Sequence, residues 1–298
     1  MKKTIWSLAA LMFMTAPMMT SCSNDLDEVQ TEQAKGNIVT LTIAPPVNVA
    51  ETRVTVDGST FNITGWELDD EVNLYIITTT VRTNQVGFKS EGVVTFKCID
   101  ATRGTFIGTL PEGKTLEDYN FAVFGATAKK YDTTNLSLVQ KTMCSTELKD
   151  VVMMAAWKSD AGTYNMEVVN NVMKVKNNTG SAMEVAWYGI SYGGGDPYFF
   201  TPCVLCSFEY DRRTEEISKT WGGLTISHRV KPEGNEWDKA SHFTLQSGMD
   251  SYINMGIMGH SGDQWSIAKE DGTIVVAMKG VGTRGRKRGK LYNAGSIN

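Results

Sequence analysis

The stretch Glu71-Val72-Asn73-Leu74-Tyr75-Ile76-Ile77 decides the fold class of this 298-residue chain. Val72, Leu74 and Ile76 alternate along it and share one face, which is typical of a β-strand. Short runs of the same kind, bounded by Gly, Asn and Asp, recur at 39–43, 104–108, 119–124, 151–157, 173–175, 183–190, 243–245, 252–258 and 274–278. Many short strands separated by turns predict an all-β chain built from sandwiches.

Chain length and polar breaks predict the domain organisation. Residues 1–21 are predicted to be a signal peptide and residues 22–37 an acidic tether. The polar break at 159–162 divides the remainder into an N-terminal β-sandwich, 38–164, and a C-terminal β-sandwich, 165–298. Inside these domains we expect a short helix within 136–148 and a single helical turn at 116–119.

The N-terminus carries the features of a bacterial secretory signal. Met1-Lys2-Lys3 precedes an apolar run that is too short to span a bilayer, and Thr20-Ser21-Cys22 follows it. A cysteine at the cut position resembles a lipobox, so we expect Cys22 to be acylated and to anchor the chain in the outer membrane. The alternative is ordinary secretion with Cys22 as an incidental thiol.

Composition excludes some classes of partner. The net charge of −4 provides no electrostatic footprint for nucleic acid. Four cysteines follow Cys22, namely Cys98, Cys144, Cys203 and Cys206. They are too few for a disulfide scaffold, so we expect mostly buried thiols, although three pairings remain open.

Candidate catalytic and metal-binding motifs are weak. Cys203 and Cys206 have a metal-like spacing, but the three histidines stand alone, and residues three apart on a strand point to opposite faces. Asp69-Asp70-Glu71 is interpreted as a turn into a strand rather than a carboxylate pair for glycoside hydrolysis. We therefore expect no enzyme activity, no metal and no cofactor.

A basic segment, 283–290, lies near the C-terminus. The favoured interpretation is a solvated hairpin turn between 274–278 and a final strand. The alternative is a basic patch that faces anionic lipopolysaccharide or a partner protein.

A series of weak motifs, in a fixed order along the mature chain, resembles the fimbrillins, the lipoprotein precursors of type V pili. The motifs are Glu51-Thr52-Arg53, Gly65-Trp66-Glu67-Leu68-Asp69-Asp70-Glu71-Val72, Gly104-Thr105-Phe106-Ile107-Gly108-Thr109-Leu110-Pro111, Tyr119-Asn120-Phe121-Ala122-Val123-Phe124, Asn171-Val172-Met173-Lys174-Val175-Lys176-Asn177-Asn178 and Gly289-Lys290-Leu291-Tyr292. The chain departs from the family in having Asp69-Asp70 at the acidic turn and in being shorter than typical stalk subunits.

The resemblance implies two transthyretin-like β-sandwiches that assemble by strand exchange with other pilin subunits. It implies proteolysis after a basic residue, for which Arg53 is the candidate, although Arg53 is equally consistent with an ordinary strand edge. It also implies a C-terminal donor strand, for which Leu291, Tyr292 and Ile297 are the apolar candidates. A stalk, tip or anchor position remains open, as does the host or bacterial surface ligand.

The main rival interpretation is a surface glycan-binding lipoprotein. Its sugar-stacking residues would be Trp187, Tyr188, Tyr192, Trp221 and Trp237. At strand spacing, such aromatic residues more often belong to a core or an interface. We expect the chain at the outer membrane surface or in a fimbrium under the favoured interpretation.

Overall fold

Short runs rich in β-branched and aromatic side chains form the strands of this protein. The computed structural model describes residues 36–44, 65–82, 85–132, 134–190, 197–227, 237, 240–257, 264–277 and 288–298. Within these ranges there are nineteen β-strands and two 3₁₀ helices, Leu116–Asp118 and Lys149–Val151, and no α-helix. The predicted all-β fold class is confirmed.

The strands have the following bounds in chain order: β1 (Asn37–Thr42), β2 (Glu71–Arg82), β3 (Gln85–Asp100), β4 (Thr105–Leu110), β5 (Phe121–Phe124), β6 (Ala126–Lys130), β7 (Asn135–Gln140), β8 (Cys144–Ser145), β9 (Met154–Trp157), β10 (Glu167–Val168), β11 (Asn171–Asn177), β12 (Met183–Ile190), β13 (Tyr198–Asp211), β14 (Glu216–Ser227), β15 (His242–Leu245), β16 (Asp250–Gly256), β17 (Gln264–Ala268), β18 (Ile274–Ala277) and β19 (Leu291–Ile297).

Three sheets contain these strands. The first sheet has the order β1-β4-β3-β2-β5-β9-β10, and the second has the order β19-β11-β16-β8. The third sheet has the order β18-β17-β12-β13-β7-β6, with β14 paired to β13 and β15 paired to β12. Every ladder is antiparallel except the one between β11 and β19, which is parallel.

A core cluster lies between each pair of sheets. The first core cluster joins residues of the first sheet to Val172 and Leu291 of the second sheet. The second core cluster lies between the first and third sheets, and the third core cluster lies between the second and third sheets. β5 contributes to two clusters, and all four of its residues are buried, so its sequence is continuously apolar.

Strand pairing crosses the predicted domain boundary near residue 164. β6 and β7 precede the boundary but belong to the third sheet with β12 and β13, and β8 pairs with β16. The division into 38–164 and 165–298 stays a prediction, and these pairings suggest how it can be tested.

The short helix predicted within 136–148 is wrong, because this segment forms β7 and β8. Leu136 and Leu138 are both buried two residues apart, a strand period, and β13 and β6 pair with them on either side. The helical turn predicted at 116–119 is confirmed by the 3₁₀ helix, which begins after a capping box of Thr115 and Asp118.

The predicted final strand exists as β19, but its place in the fold differs from the prediction. Its ladder is with β11, whereas β18 pairs with β17, so β18 and β19 are not the two arms of a hairpin among the described residues. Most of the basic segment lies outside the described residues. None of the described segments forms a helix with the length and hydrophobicity needed to cross a bilayer.

Candidate functional site

β1 lies at the edge of the first sheet, where β4 is its one hydrogen-bonded neighbour among the described strands. Six antiparallel residue pairs join the two strands. Val39 and Leu41 pack against the first core cluster, whereas Ile38 on the other face is 72% exposed. One side of this short edge strand is therefore part of the protein core.

Ile43, immediately after β1, is held more firmly than the strand itself. Its side chain is 0% exposed in the first core cluster. Its N–H donates to the Gly104 carbonyl at 2.9 Å, and its carbonyl accepts a buried hydrogen bond from Trp66 Nε1 at 2.9 Å. The Trp66 ring packs edge-on against Phe106 and Phe124, with centroid distances of 5.1 and 5.5 Å. Ile43 is thus an anchor in both its backbone and its side chain.

Gly104 makes this close approach possible. Its φ is +62°, and a Cβ at this position would lie 2.2 Å from the Ile43 carbonyl oxygen. Only glycine adopts the left-handed conformation here and also leaves room for the neighbouring backbone. The contact fixes the end of β1 against the turn between β3 and β4.

Removal of β1 and Ile43 would open a groove beside β4. Polar groups along one edge of β4 would lose their partners, and Trp66 Nε1 and the Gly104 carbonyl would lose theirs. Each buried polar group left without a hydrogen bond costs about 1–3 kcal/mol. An exposed strand edge beside apolar pockets is the kind of surface that binds an added strand.

β19 contains the predicted donor residues Leu291, Tyr292 and Ile297. Leu291 is buried in the first core cluster, while Tyr292 and Ile297 pack against the third. The start of the strand is fixed by Lys290, whose N–H donates to Asn171 Oδ1 at 3.0 Å and whose carbonyl accepts the Val172 N–H at 2.8 Å. β19 is therefore an edge strand of the chain's own second sheet.

The middle of β19 is much less embedded than its start. Residues 293–296 are exposed, and Gly295 has a φ of +79°. The ladder with β11 is also irregular over Lys174 and Lys176. The strand is held at its two ends and exposed between them.

The motifs that suggested a family resemblance meet in space. Trp66, Phe106 and Phe124 come from three separate motifs and touch in the first core cluster. The motif 171–178 lies alongside the motif 289–292 in the parallel ladder. Sequence reasoning missed the hydrogen bond between Ile43 and Trp66, because nothing in either segment indicates a partner 23 positions away.

Three predicted positions lie outside the described residues: the lipidation candidate Cys22, the processing candidate Arg53 and the aromatic residue Tyr192. Arg53 belongs to the segment 45–64, which connects Ile43 and Ala44 to the motif around Trp66. In the covalent chain, it therefore stands between β1 and the rest of the first sheet.

The aromatic residues of the glycan-binding interpretation mostly contribute to packing. Trp187 is buried in the third core cluster, and Trp237 is buried in a small cluster against which Tyr188 packs. Trp221 packs partly buried against the second core cluster. These four residues do not form an exposed stacking platform.

The cysteines and carboxylates have structural surroundings. Cys206 lies in the second core cluster, and burial raises its pKa to about 12, so it is a protonated thiol at neutral pH. Cys203, also buried, lies three residues away, on the opposite face of β13 by strand alternation. Cys98 is a buried thiol, whereas Cys144 is partly exposed, with a pKa raised by burial to about 11.

Asp69 and Asp70 form the predicted turn into β2, which begins at Glu71. The Asp70 carboxylate accepts the Glu67 N–H at 2.7 Å and contacts Lys149 Nζ at 2.8 Å. The described residues contain no cluster of three or more His, Cys, Asp or Glu that could hold a metal ion.

Comparisons with known proteins add little. No family model matches the sequence, and no curated protein matches it. The crystal structure of a proposed cell adhesion protein from Bacteroides uniformis is similar over 77% of this chain and 87% of its own, with a TM-score of 0.35 and 12% identity. A similarity of that size supports no conclusion about the fold or the function of this chain.

Proposed function

We propose that this chain is a pilus subunit or accessory pilin of the outer membrane surface, which assembles by strand exchange and serves adhesion. The observation that carries the proposal is the placement of β1. It is an edge strand with one described neighbour, its inward side chains belong to the core, and the segment that connects it to the rest of the sheet contains Arg53.

A single cut after Arg53 would convert β1 from a covalent part of the chain into an exchangeable one. After the cut, β1 would be retained by noncovalent contacts: its ladder with β4, the two backbone hydrogen bonds of Ile43, and the packing of Val39, Leu41 and Ile43. Full burial of a side chain such as that of Ile43 contributes about 1.5–3 kcal/mol, and the partly buried Val39 and Leu41 contribute less. Another strand with equivalent side chains could therefore replace β1.

The lipid expected on Cys22 would act before the cut. It would hold the precursor at the membrane through the tether 22–37. After the cut, the lipid would leave the folded body together with β1, when another strand replaces β1 in the groove. The lipidated cysteine would then serve as a transit anchor rather than a permanent one.

Mass spectrometry of the N-terminus, together with antibody detection of detergent-resistant ladders, tests the proposal. Cells producing the native chain should carry fibres in which it begins at Val54. Arg53→Gln should leave the chain beginning at Cys22 and abolish its ladders. Arg103→Gln, at an exposed arginine in the turn after β3, is the matched control and should change neither.

A chain that still begins at Cys22 within assembled fibres would refute the cleavage step. Electron microscopy of cells with and without the chain adds an independent measurement, since loss of surface filaments, or of their tips, is expected when the chain is absent.

A further inference from the structure

The groove left by β1 would have three positions at which a side chain of an added strand points toward the core. Val39, Leu41 and Ile43 occupy them at every second residue. The fit is tightest at the position of Ile43, whose side chain is 0% exposed. Its carbonyl lies close to Gly104 and accepts the hydrogen bond from Trp66 Nε1. An incoming strand needs a bulky apolar side chain at all three positions.

The chain's own C-terminal strand does not meet this demand. If Ile297 is placed at the position of Ile43, then Gly295 replaces Leu41 and Asn293 replaces Val39. Every other register of residues 289–298, in either direction, also brings Asn, Gly, Ser or a charged residue to at least one inward position. A polar or missing side chain in an apolar pocket loses burial and leaves a cavity.

The same strand is already packed and paired within the chain's own fold. Leu291 fills part of the first core cluster. The backbone N–H and carbonyl of Lys290 are hydrogen-bonded to Asn171 and Val172, the first two residues of β11. Withdrawal of β19 to serve an identical subunit would uncover these groups and gain a poorly matched groove in return.

We infer that the groove accepts an extended segment of a different protein, one that carries bulky aliphatic side chains at three alternate positions, and not the C-terminal strand of a second copy. The inference rests on the proposed function, since the groove exists only after β1 leaves. The chain is accordingly a point at which a fibre changes from one subunit type to another.

Strand exchange into the cut protein tests this inference. In the full chain, residues 48–53 are replaced by the recognition sequence of a site-specific protease, and the chain is cut there. Fluorescent peptides are then added, and their Kd values are measured by anisotropy. The peptides are 36–44, which reproduces β1, and 290–298, which reproduces the C-terminal strand.

Two variant peptides make the comparison specific to the inward positions. Peptide 36–44 with Val39→Asn and Leu41→Gly carries what the C-terminal strand would bring. Peptide 290–298 with Asn293→Val and Gly295→Leu carries the β1 side chains at all three inward positions, since Ile297 already takes the place of Ile43. We expect peptide 36–44 and the second variant to bind at least about 100-fold more tightly than their counterparts.

The outcomes separate the inference from the proposed function. Native peptide 290–298 binding within about threefold of peptide 36–44 would overturn the inference and leave strand exchange intact. Failure of peptide 36–44 to enter the cut protein would instead refute the exchangeable groove and the proposed function with it. If the second variant fails to gain affinity although peptide 36–44 enters, the groove does not require bulky apolar side chains at all three inward positions, and the inference is wrong.

Discussion

At the scale of single residues, Ile43 and Ile38 show how position decides what an identical side chain contributes. They lie five positions apart at the two ends of one short segment. Ile43 is buried with both backbone groups hydrogen-bonded, and Ile38 is 72% exposed on the outer face of the sheet. Because the two side chains are chemically identical, a difference between their substitutions reports the effect of burial and hydrogen bonding at Ile43.

Ile43→Ala should destabilise the uncut chain by about 2–5 kcal/mol, because it removes buried methyl and methylene groups and leaves a cavity beside Trp66. Urea unfolding followed by tryptophan fluorescence measures this change. Ile38→Ala is the matched control and should stay within about 0.5 kcal/mol of the native chain. Equal effects of the two substitutions would contradict the anchoring role of Ile43.

At the scale of elements, the sequence predicts strands better than it predicts their neighbours. Apolar alternation identified β2, and runs rich in β-branched and aromatic residues identified β12 and β16. The sequence did not show that all three strands have buried residues on both faces, as β2 does between the first and second core clusters. It did not predict the parallel pairing of β19 with β11, which depends on residues about 120 positions away. The candidate site was accordingly predicted as two terminal segments, without the groove geometry that relates them.

The contact between the β3–β4 turn and the end of β1 gives a prediction at this scale. Gly104→Ala should cost about 1–3 kcal/mol more than Gly113→Ala in urea unfolding. Both glycines have positive φ, +62° and +74°, so both variants carry the left-handed backbone penalty. Only at Gly104 would the new Cβ meet a backbone atom, whereas Gly113 has nothing within 4 Å.

Amide hydrogen exchange shows which strands the Gly104→Ala substitution destabilises. In the Gly104→Ala variant, the amides of β1 and Ile43 should lose protection while those of β13 keep theirs. Equal stability of the two glycine variants would mean that β1 adapts to the added methyl group, and that its end is less firmly fixed than the geometry indicates.

At the scale of the whole molecule, three core clusters join three sheets, and strands from both halves of the sequence build the third sheet. β7 contributes Leu136 and Leu138 to the second core cluster beside Val204 of β13. The stability of each half therefore depends on strands supplied by the other.

We expect the uncut chain to unfold in one cooperative calorimetric transition, because neither half can lose its strands without exposing a shared core. Differential scanning calorimetry measures this directly, with the ratio of calorimetric to van't Hoff enthalpy as the criterion. Two resolved transitions would instead favour independent domains at 38–164 and 165–298.

The position of Ile43 has a mechanical consequence. β1 runs antiparallel to β4 over six residue pairs, and the anchor lies just beyond the last of them. Tension along the strand axis loads the whole ladder and the anchor together, whereas a force across the sheet opens one pair after another. A donor strand seated in the same place would form a shear joint. Its lifetime under pulling would depend most on the side chain that takes the place of Ile43.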